Sequence, residues 1–280
     1  MTEKETEQNM LMEFIADTCY IDINEKIDYP PVALSYGEKV IRSDKKEGDT
    51  IVPIALGTYG NLSVITAPPK TKKTFFVSLL ASAYLSGSNI YGGEIKGHRG
   101  NGDLIHFDTE QGSWHCSKVF KRVLLMDSNI PKDKYHTFAL RTIGFKERLE
   151  FIEYYLKENI KEQSLVIIDG VADLCGDVNN IEQSNHLVSA LMRISTQRNV
   201  HIICVIHQNY GSQKLGTGHL GSALEKKAET VISLEANTVN KDWVTVKCGR
   251  SRGYSFETFS FEVNEKGLPT IVGDLYDPLK

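Results

Sequence analysis

Two adjacent residues and two carboxylates in this 280-residue chain have types and spacings that suit chemistry on a phosphate. Residues 62–85 read LSVITAPPKTKKTFFVSLLASAYL, an apolar strand, a turn and a helix, with Lys73-Thr74 at the start of the helix. A helix N-terminus offers unpaired backbone N–H groups to an anion. A lysine there reaches the outer phosphates, and a Ser or Thr hydroxyl ligates Mg²⁺. Setting the segment Ala67, Pro68, Pro69, Lys70, Thr71, Lys72, Lys73, Thr74 and Phe75 on the pattern GxxxxGK[ST] puts Ala67 and Lys72 where glycines belong. A side chain in a left-handed backbone costs about 1–2 kcal/mol, which a stable domain tolerates. The expected consequence is a narrower loop or slower turnover. The plainer reading of APPKTKKT is a basic turn with Lys70 and Lys72 in solvent.

The carboxylates follow two further strands. SLVIIDGVADL is an apolar run closed by Asp169, which could join the coordination shell of a Mg²⁺ ion. DLIHFDTEQ closes on Asp108-Thr109-Glu110. Parallel strands bring their carboxyl ends to one edge of a sheet, where ligands bind. Glu110 would then lie near the metal and the terminal phosphate, where a carboxylate can polarise an attacking water. Taken alone, Asp169 could be a capping aspartate and Glu110 a solvated acid at a helix entry.

Placing these groups on one edge needs an alternating α/β chain. From about residue 50 apolar strands alternate with amphipathic helices. NLSVITA, DLIHFDT, HTFALRT, SLVIIDG and VHIICVIHQ read as strands; TFFVSLLASAYLSG, SWHCSKVFKRVLLMD, FKERLEFIEYYLKENI and a stretch from Glu182 to Arg198 read as helices. KAETVISLEA, DWVTVKCG, SFETFSFEVNE and LPTIVG then follow without a long helix, which predicts an antiparallel addition to one edge. The expected architecture is an α/β domain over 50–280, a mostly parallel sheet with helices on both faces. Residues 1–49, with a short helix over Asn9 to Asp17 and the Pro30-Pro31 pair, read as an arm or interaction segment.

Composition excludes some classes. With 41% hydrophobic and 24% charged residues the chain is neither disordered nor fibrous. No apolar run reaches the ~18 residues of a membrane span. The start, MTEKETEQNM, is acidic and unlike a signal peptide, so a cytoplasmic location is expected. A formal net charge of −4 means that any nucleic acid must be held by a local basic surface. Cys19, Cys116, Cys175, Cys204 and Cys248 are scattered without a CxxC pair, which predicts reduced thiols rather than a disulfide framework or zinc site.

In order, K-T, D-T-E, IIDGVADL and VIHQN resemble the RecA-like ATPases, especially the DnaB and RepA type of replicative helicase and compact RecA-fold ATPases of plasmids and mobile elements. The resemblance covers about residues 50–265. It implies ATP and Mg²⁺ as cofactors, Glu110 as the catalytic glutamate and Gln208 as the sensor of the γ-phosphate, with His207 and Asn209 beside it. It implies that VKCGRSRG sends Arg250 and Arg252 into a neighbouring subunit's ATP site. It further implies a homo-oligomeric ring such as a hexamer, single-stranded DNA as substrate, and replication or mobilisation proteins as partners. In the family the loop at YGSQKLGTGHLG faces a central channel; Tyr210 could stack a base and Lys214 pair with a phosphate. GGEIKGHRGNG, with Lys96, His98 and Arg99, is a second basic loop. Two other classes compete: a nucleotide-binding switch or assembly factor with weak hydrolysis, favoured by the missing glycines, and a small-molecule kinase, disfavoured by the lack of an obvious lid.

Overall fold

Each buried strand of this chain presents apolar side chains alternately to two sides, and each side needs its own cover. In the computed structural model, which describes residues 3–42, 49–87, 94–208 and 216–272, helices supply most of that cover. The chain forms two compact units, residues 1–30 and 31–280. The first holds helix α1 (Glu3–Cys19), longer than the sequence suggested, with Met10, Leu11, Phe14 and Ile15 exposed.

The second unit begins with β1 (Val32–Ile41), which pairs antiparallel with β2 (Thr50–Thr58) and, on its other side, with β4 (Ile95–Gly97). Residues 32–41, read from sequence as part of the arm, therefore belong to a small sheet of the larger unit. The main sheet contains β3 (Leu62–Ala67), β5 (Leu104–Asp108), β6 (Tyr135–Ala139), β7 (Leu165–Asp169), β8 (His201–His207), β9 (Thr230–Ala236), β10 (Val244–Ser251), β11 (Phe259–Val263) and β12 (Pro269–Val272). Among the described residues its order is β12-β11-β10-β9-β3-β8-β7-β5-β6. The strands from β9 to β6 are parallel, and β10, β11 and β12 extend the sheet antiparallel from β9. This is the mostly parallel sheet with an antiparallel C-terminal edge that the sequence pattern predicts.

One face of the sheet is covered by α2 (Lys73–Ser86) and α3 (Ser113–Met126). There Phe76, Leu79, Leu80 and Val123 meet Ile65, Ile167, Ile203 and Phe261 in one core cluster, joined by Ala33 and Leu56 of the small sheet. The other face is covered by α4 (Phe145–Asn159), α5 (Ile181–Arg198) and α6 (Gly218–Lys227), where Ile152, Leu191 and Leu224 meet Val64, Phe107 and Ile168. The alternation along β3 splits Ile65 from Val64 into these two cores. Burial of this extent, at roughly 25 cal/mol per Å² of apolar surface, fixes the strand register and hence the positions of the residues at strand ends. Among the described residues no helix is long and apolar enough to cross a membrane.

Candidate nucleotide-phosphate site

The carboxyl ends of four neighbouring strands align by register. Ala67, the last residue of β3, pairs with His207 of β8, and Asp108 of β5 pairs with Asp169 of β7. Residues 67 to 75 leave β3 at this edge and turn into α2. Lys72 caps the helix in the left-handed conformation, φ 56° and ψ 30°. That is the conformation a glycine would supply at this motif position, and here a lysine adopts it. Lys70 is left-handed as well, φ 65°, a bend the sequence did not announce. Ala67 lies buried at the strand end without a positive φ, so the first missing glycine leaves no backbone conflict. Thr71 Oγ1 donates to the Pro68 carbonyl and braces the turn. Lys72 does not sit idle in solvent, since its Nζ donates to the Asp242 carbonyl at 2.7 Å, tying the turn to the β9–β10 connection.

Lys73 is buried, 8% exposed. Its Nζ lies 2.7 Å from His207 Nδ1. Burial holds its pKa below the ordinary lysine value, opposed by the charges of Glu110 and Asp169, so all three groups share one space. Thr74 and Phe75 follow on the first turn of α2. Arg122 of α3 lies over the Phe75 ring at 3.7 Å and donates to the Thr74 carbonyl at 3.3 Å, locking α3 against the helix start.

The acidic side is built from β5 and β7. Asp108 is fully buried; its Oδ1 accepts from the N–H groups of Glu110 and Gln111, and its Oδ2 from Gln111 Nε2. It thus shapes the turn that presents Glu110. Asp169 is 4% exposed and its Oδ2 has no hydrogen-bond partner. Burial, with the neighbouring charges of Asp108 and Glu110, pushes its pKa up to about 7. The turn after β7 crosses close to Glu110 through Gly170, at φ 100°. A Cβ there would collide with Thr109 Oγ1 and meet Glu110 Cγ at 2.6 Å, so only glycine fits. Glu110 Oε1 lies 3.5 Å from His207 Nε2, and that histidine, chiefly, holds its pKa below the usual glutamate value.

A buried, unpartnered carboxylate oxygen of raised pKa fits a cation, which would offset the burial and the acidic neighbours. Among the described residues no group of three or more His, Cys, Asp or Glu could hold a metal ion. A cation here would therefore depend on phosphate oxygens, a hydroxyl such as that of Thr74, and water, the usual shell of Mg²⁺ at a phosphate.

Gln208 is buried, and its N–H donates to the Ala67 carbonyl at 2.9 Å, which places it beside the turn over residues 67–75. Arg250 and Arg252 sit elsewhere. β10 runs antiparallel to β9, with Arg250 opposite Val231 and Ser251 opposite Thr230, and Thr230 is level with Ser63 at the start of β3. Both arginines are exposed at the edge of the sheet away from the turn over residues 67–75, and Arg252 Nη2 donates to the Lys227 carbonyl at 2.9 Å. The basic stretch 94–102 is a strand and a turn rather than one loop. Lys96 pairs with Glu38 at 2.9 Å, His98 Nε2 lies 2.8 Å from Ser35 Oγ, and Arg99 donates to the Gly102 carbonyl at 3.1 Å. Tyr210, Lys214 and Asn209 lie outside the described residues.

Three groups of the site were not singled out from sequence. Asp108 was visible in D-T-E but overshadowed by Glu110. Asp173, with its pKa raised first by burial and beside Thr109 and Glu110, lies within IIDGVADL but behind Asp169, and Arg122 carries no motif signal.

Two solved structures share this fold. A solved structure described as an ATPase domain superposes with a TM-score of 0.56 at 15% identity, covering 76% of this chain and 85% of that one. A DnaB-like replicative helicase, solved in a study of its interactions with primase, gives 0.54 at 14% identity over 76% of this chain and 57% of that one. At such identities the likeness is one of fold, the RecA-like α/β core. A search of curated proteins found no match. A family model described as an AAA domain matches residues 56–213, more than half of the chain and the whole of the turn over residues 67–75, both acidic strand ends and β8, and the chain belongs to that AAA domain family.

Proposed function

We propose that this RecA-like NTPase is a Mg²⁺-dependent ATPase that assembles as a ring and works as a helicase or motor on single-stranded DNA, in replication or mobilisation of an extrachromosomal element. The observation that carries the ATPase reading is the meeting of Lys73, Glu110 and the unpartnered Asp169 oxygen at one sheet edge beside a helix N-terminus. The ring and the DNA substrate rest on the family resemblance and on the placement of the arginines.

Thr74 and Asp169 would hold Mg²⁺, which would supply neutralisation of the phosphate charge. Residues 67–75 wrap the phosphates, with backbone N–H groups supplied from Lys70 onward because Pro68 and Pro69 have none, and Lys73 contacts the outer ones. Glu110, with its pKa held low, is ionised at neutral pH and accepts a proton from the attacking water. Gln208, beside Ala67, is placed to sense the terminal phosphate. Arg250 and Arg252, remote from their own turn, serve a neighbouring subunit's nucleotide. Tyr210 and Lys214 take the single strand. The left-handed backbone at Lys72 supports a phosphate turn of ordinary shape and so favours the hydrolase over the weakly hydrolysing switch. The test is the ATPase rate with and without single-stranded DNA, beside the particle mass with a non-hydrolysable ATP analogue. A DNA-stimulated rate and a ring-sized mass agree with the proposal; a monomer without ATPase activity contradicts it.

A further inference from the structure

We infer that His207 is a positioning residue that aligns Lys73 and Glu110 through the two nitrogens of a single imidazole. The inference rests on the roles proposed above for those two residues. His207 closes β8. Its backbone is held by its carbonyl, which accepts from Thr217 N–H at 2.9 Å and Thr217 Oγ1 at 2.8 Å. Its side chain is 41% exposed, so polar contacts rather than close packing set the ring. Nδ1 lies 2.7 Å from Lys73 Nζ. Nε2 lies 3.5 Å from Glu110 Oε1.

These two contacts determine the tautomer. An ammonium can only donate, so Nδ1 must present its lone pair to Lys73. The ring proton then sits on Nε2, facing the carboxylate, which can only accept. The partners agree: the carboxylate favours the Nε2–H form, and that form leaves Nδ1 free to accept. One of the three N–H bonds of Lys73 is thereby aimed at the histidine, and the other two remain for phosphate oxygens. On the far side of the ring the same proton steadies Glu110, which otherwise hangs on a turn with its side chain 38% exposed. A group that binds phosphate and a group that handles water are therefore set by one ring.

Two substitutions separate the contacts. In His207→Asn the amide oxygen takes about the place of Nδ1, keeping an acceptor for Lys73 and losing the donor to Glu110. In His207→Gln the amide nitrogen takes about the place of Nε2, keeping the donor and losing the lysine contact. Affinity for a non-hydrolysable ATP analogue and kcat are measured for both, with Lys73→Ala and Glu110→Gln alongside and melting curves for all. The expected result is a split. Asn should leave Kd near wild type and lower kcat about 10-fold, and Gln should weaken Kd about 10-fold with kcat kept at saturation, the scale of one hydrogen bond to a charged group. Equal losses in both variants, or wild-type values in both, overturn the inference. If Lys73→Ala binds normally or Glu110→Gln turns over normally, the underlying roles fall instead. Nitrogen-15 NMR of the imidazole in the unsubstituted protein gives a reading independent of folding in the variants: an Nε2–H tautomer is expected, and an Nδ1–H tautomer overturns the inference.

Discussion

Glycine substitution at the two left-handed lysines should separate backbone strain from side-chain anchoring in the phosphate turn. Lys70 and Lys72 hold φ values of 65° and 56°. A non-glycine residue in that region costs about 1–2 kcal/mol. Glycine removes the cost but gives back roughly 0.5–1 kcal/mol through the greater freedom of the unfolded chain. Lys70→Gly should therefore stabilise the domain by about 0.5–1 kcal/mol. Lys72→Gly also forfeits the 2.7 Å bond from Nζ to the Asp242 carbonyl, worth about 0.5–1.5 kcal/mol for an ordinary hydrogen bond, so its net change should be near zero. In a unit of this size about 1 kcal/mol moves Tm by roughly 2–4 °C. Differential scanning calorimetry without nucleotide should show Lys70→Gly melting a few degrees above wild type and Lys72→Gly level with it. A clear loss of stability in Lys70→Gly would refute the claim that the loop holds a strained left-handed bend at that position.

Three further outcomes follow from the same geometry. The raised pKa of Asp169, about 7, means that the folded state binds its proton more tightly than the unfolded chain, so this carboxylate costs stability increasingly as pH rises from about 4 to about 7. Asp169→Asn should melt above wild type at pH 8, with the gap closing near pH 4, and a pH-independent gap in thermal melts would count against the burial argument. Gly170→Ala, whose Cβ would collide with Thr109 Oγ1 and meet Glu110 Cγ at 2.6 Å, should cost about 1–3 kcal/mol and lower turnover by displacing Glu110; unchanged melting and activity would oppose that packing. Mixing Arg252→Ala with Lys73→Ala protein should restore part of the ATPase activity that each lacks, because some interfaces then join an intact turn to intact arginines; no recovery in mixtures shown to co-assemble would leave Arg252 as a surface residue.

The central strands were legible because their apolar runs can exist only between two covered faces, and SLVIIDG and VHIICVIHQ became β7 and β8 with little change. The acids at strand ends were legible for the same reason, since a parallel sheet leaves them one edge to share. The small sheet was not. β1 does not alternate: Ala33 to Ser35 are buried in one run and the half from Glu38 to Ile41 is exposed, so its pairing with β2 has no apolar signature to follow. Helix α6 was hidden by its glycines, which read as loop; Gly221 is needed there because a Cβ would collide with the Gly216 backbone. The bend at Lys70 was illegible because lysine carries no preference for positive φ. The bridging place of His207 depends on Ala67 and His207 pairing across strands far apart in sequence, which no local motif encodes.

The proposed chemistry turns on whether binding and hydrolysis divide between Lys73 and Glu110 at one sheet edge. The most direct measurement is ATP affinity and single-turnover hydrolysis for wild type, Lys73→Ala and Glu110→Gln under identical conditions with Mg²⁺. Glu110→Gln should bind ATP as wild type does and lose at least ~10² in rate, the scale of a general base, while Lys73→Ala should fail to bind. Full hydrolysis by Glu110→Gln, or wild-type affinity in Lys73→Ala, would contradict it.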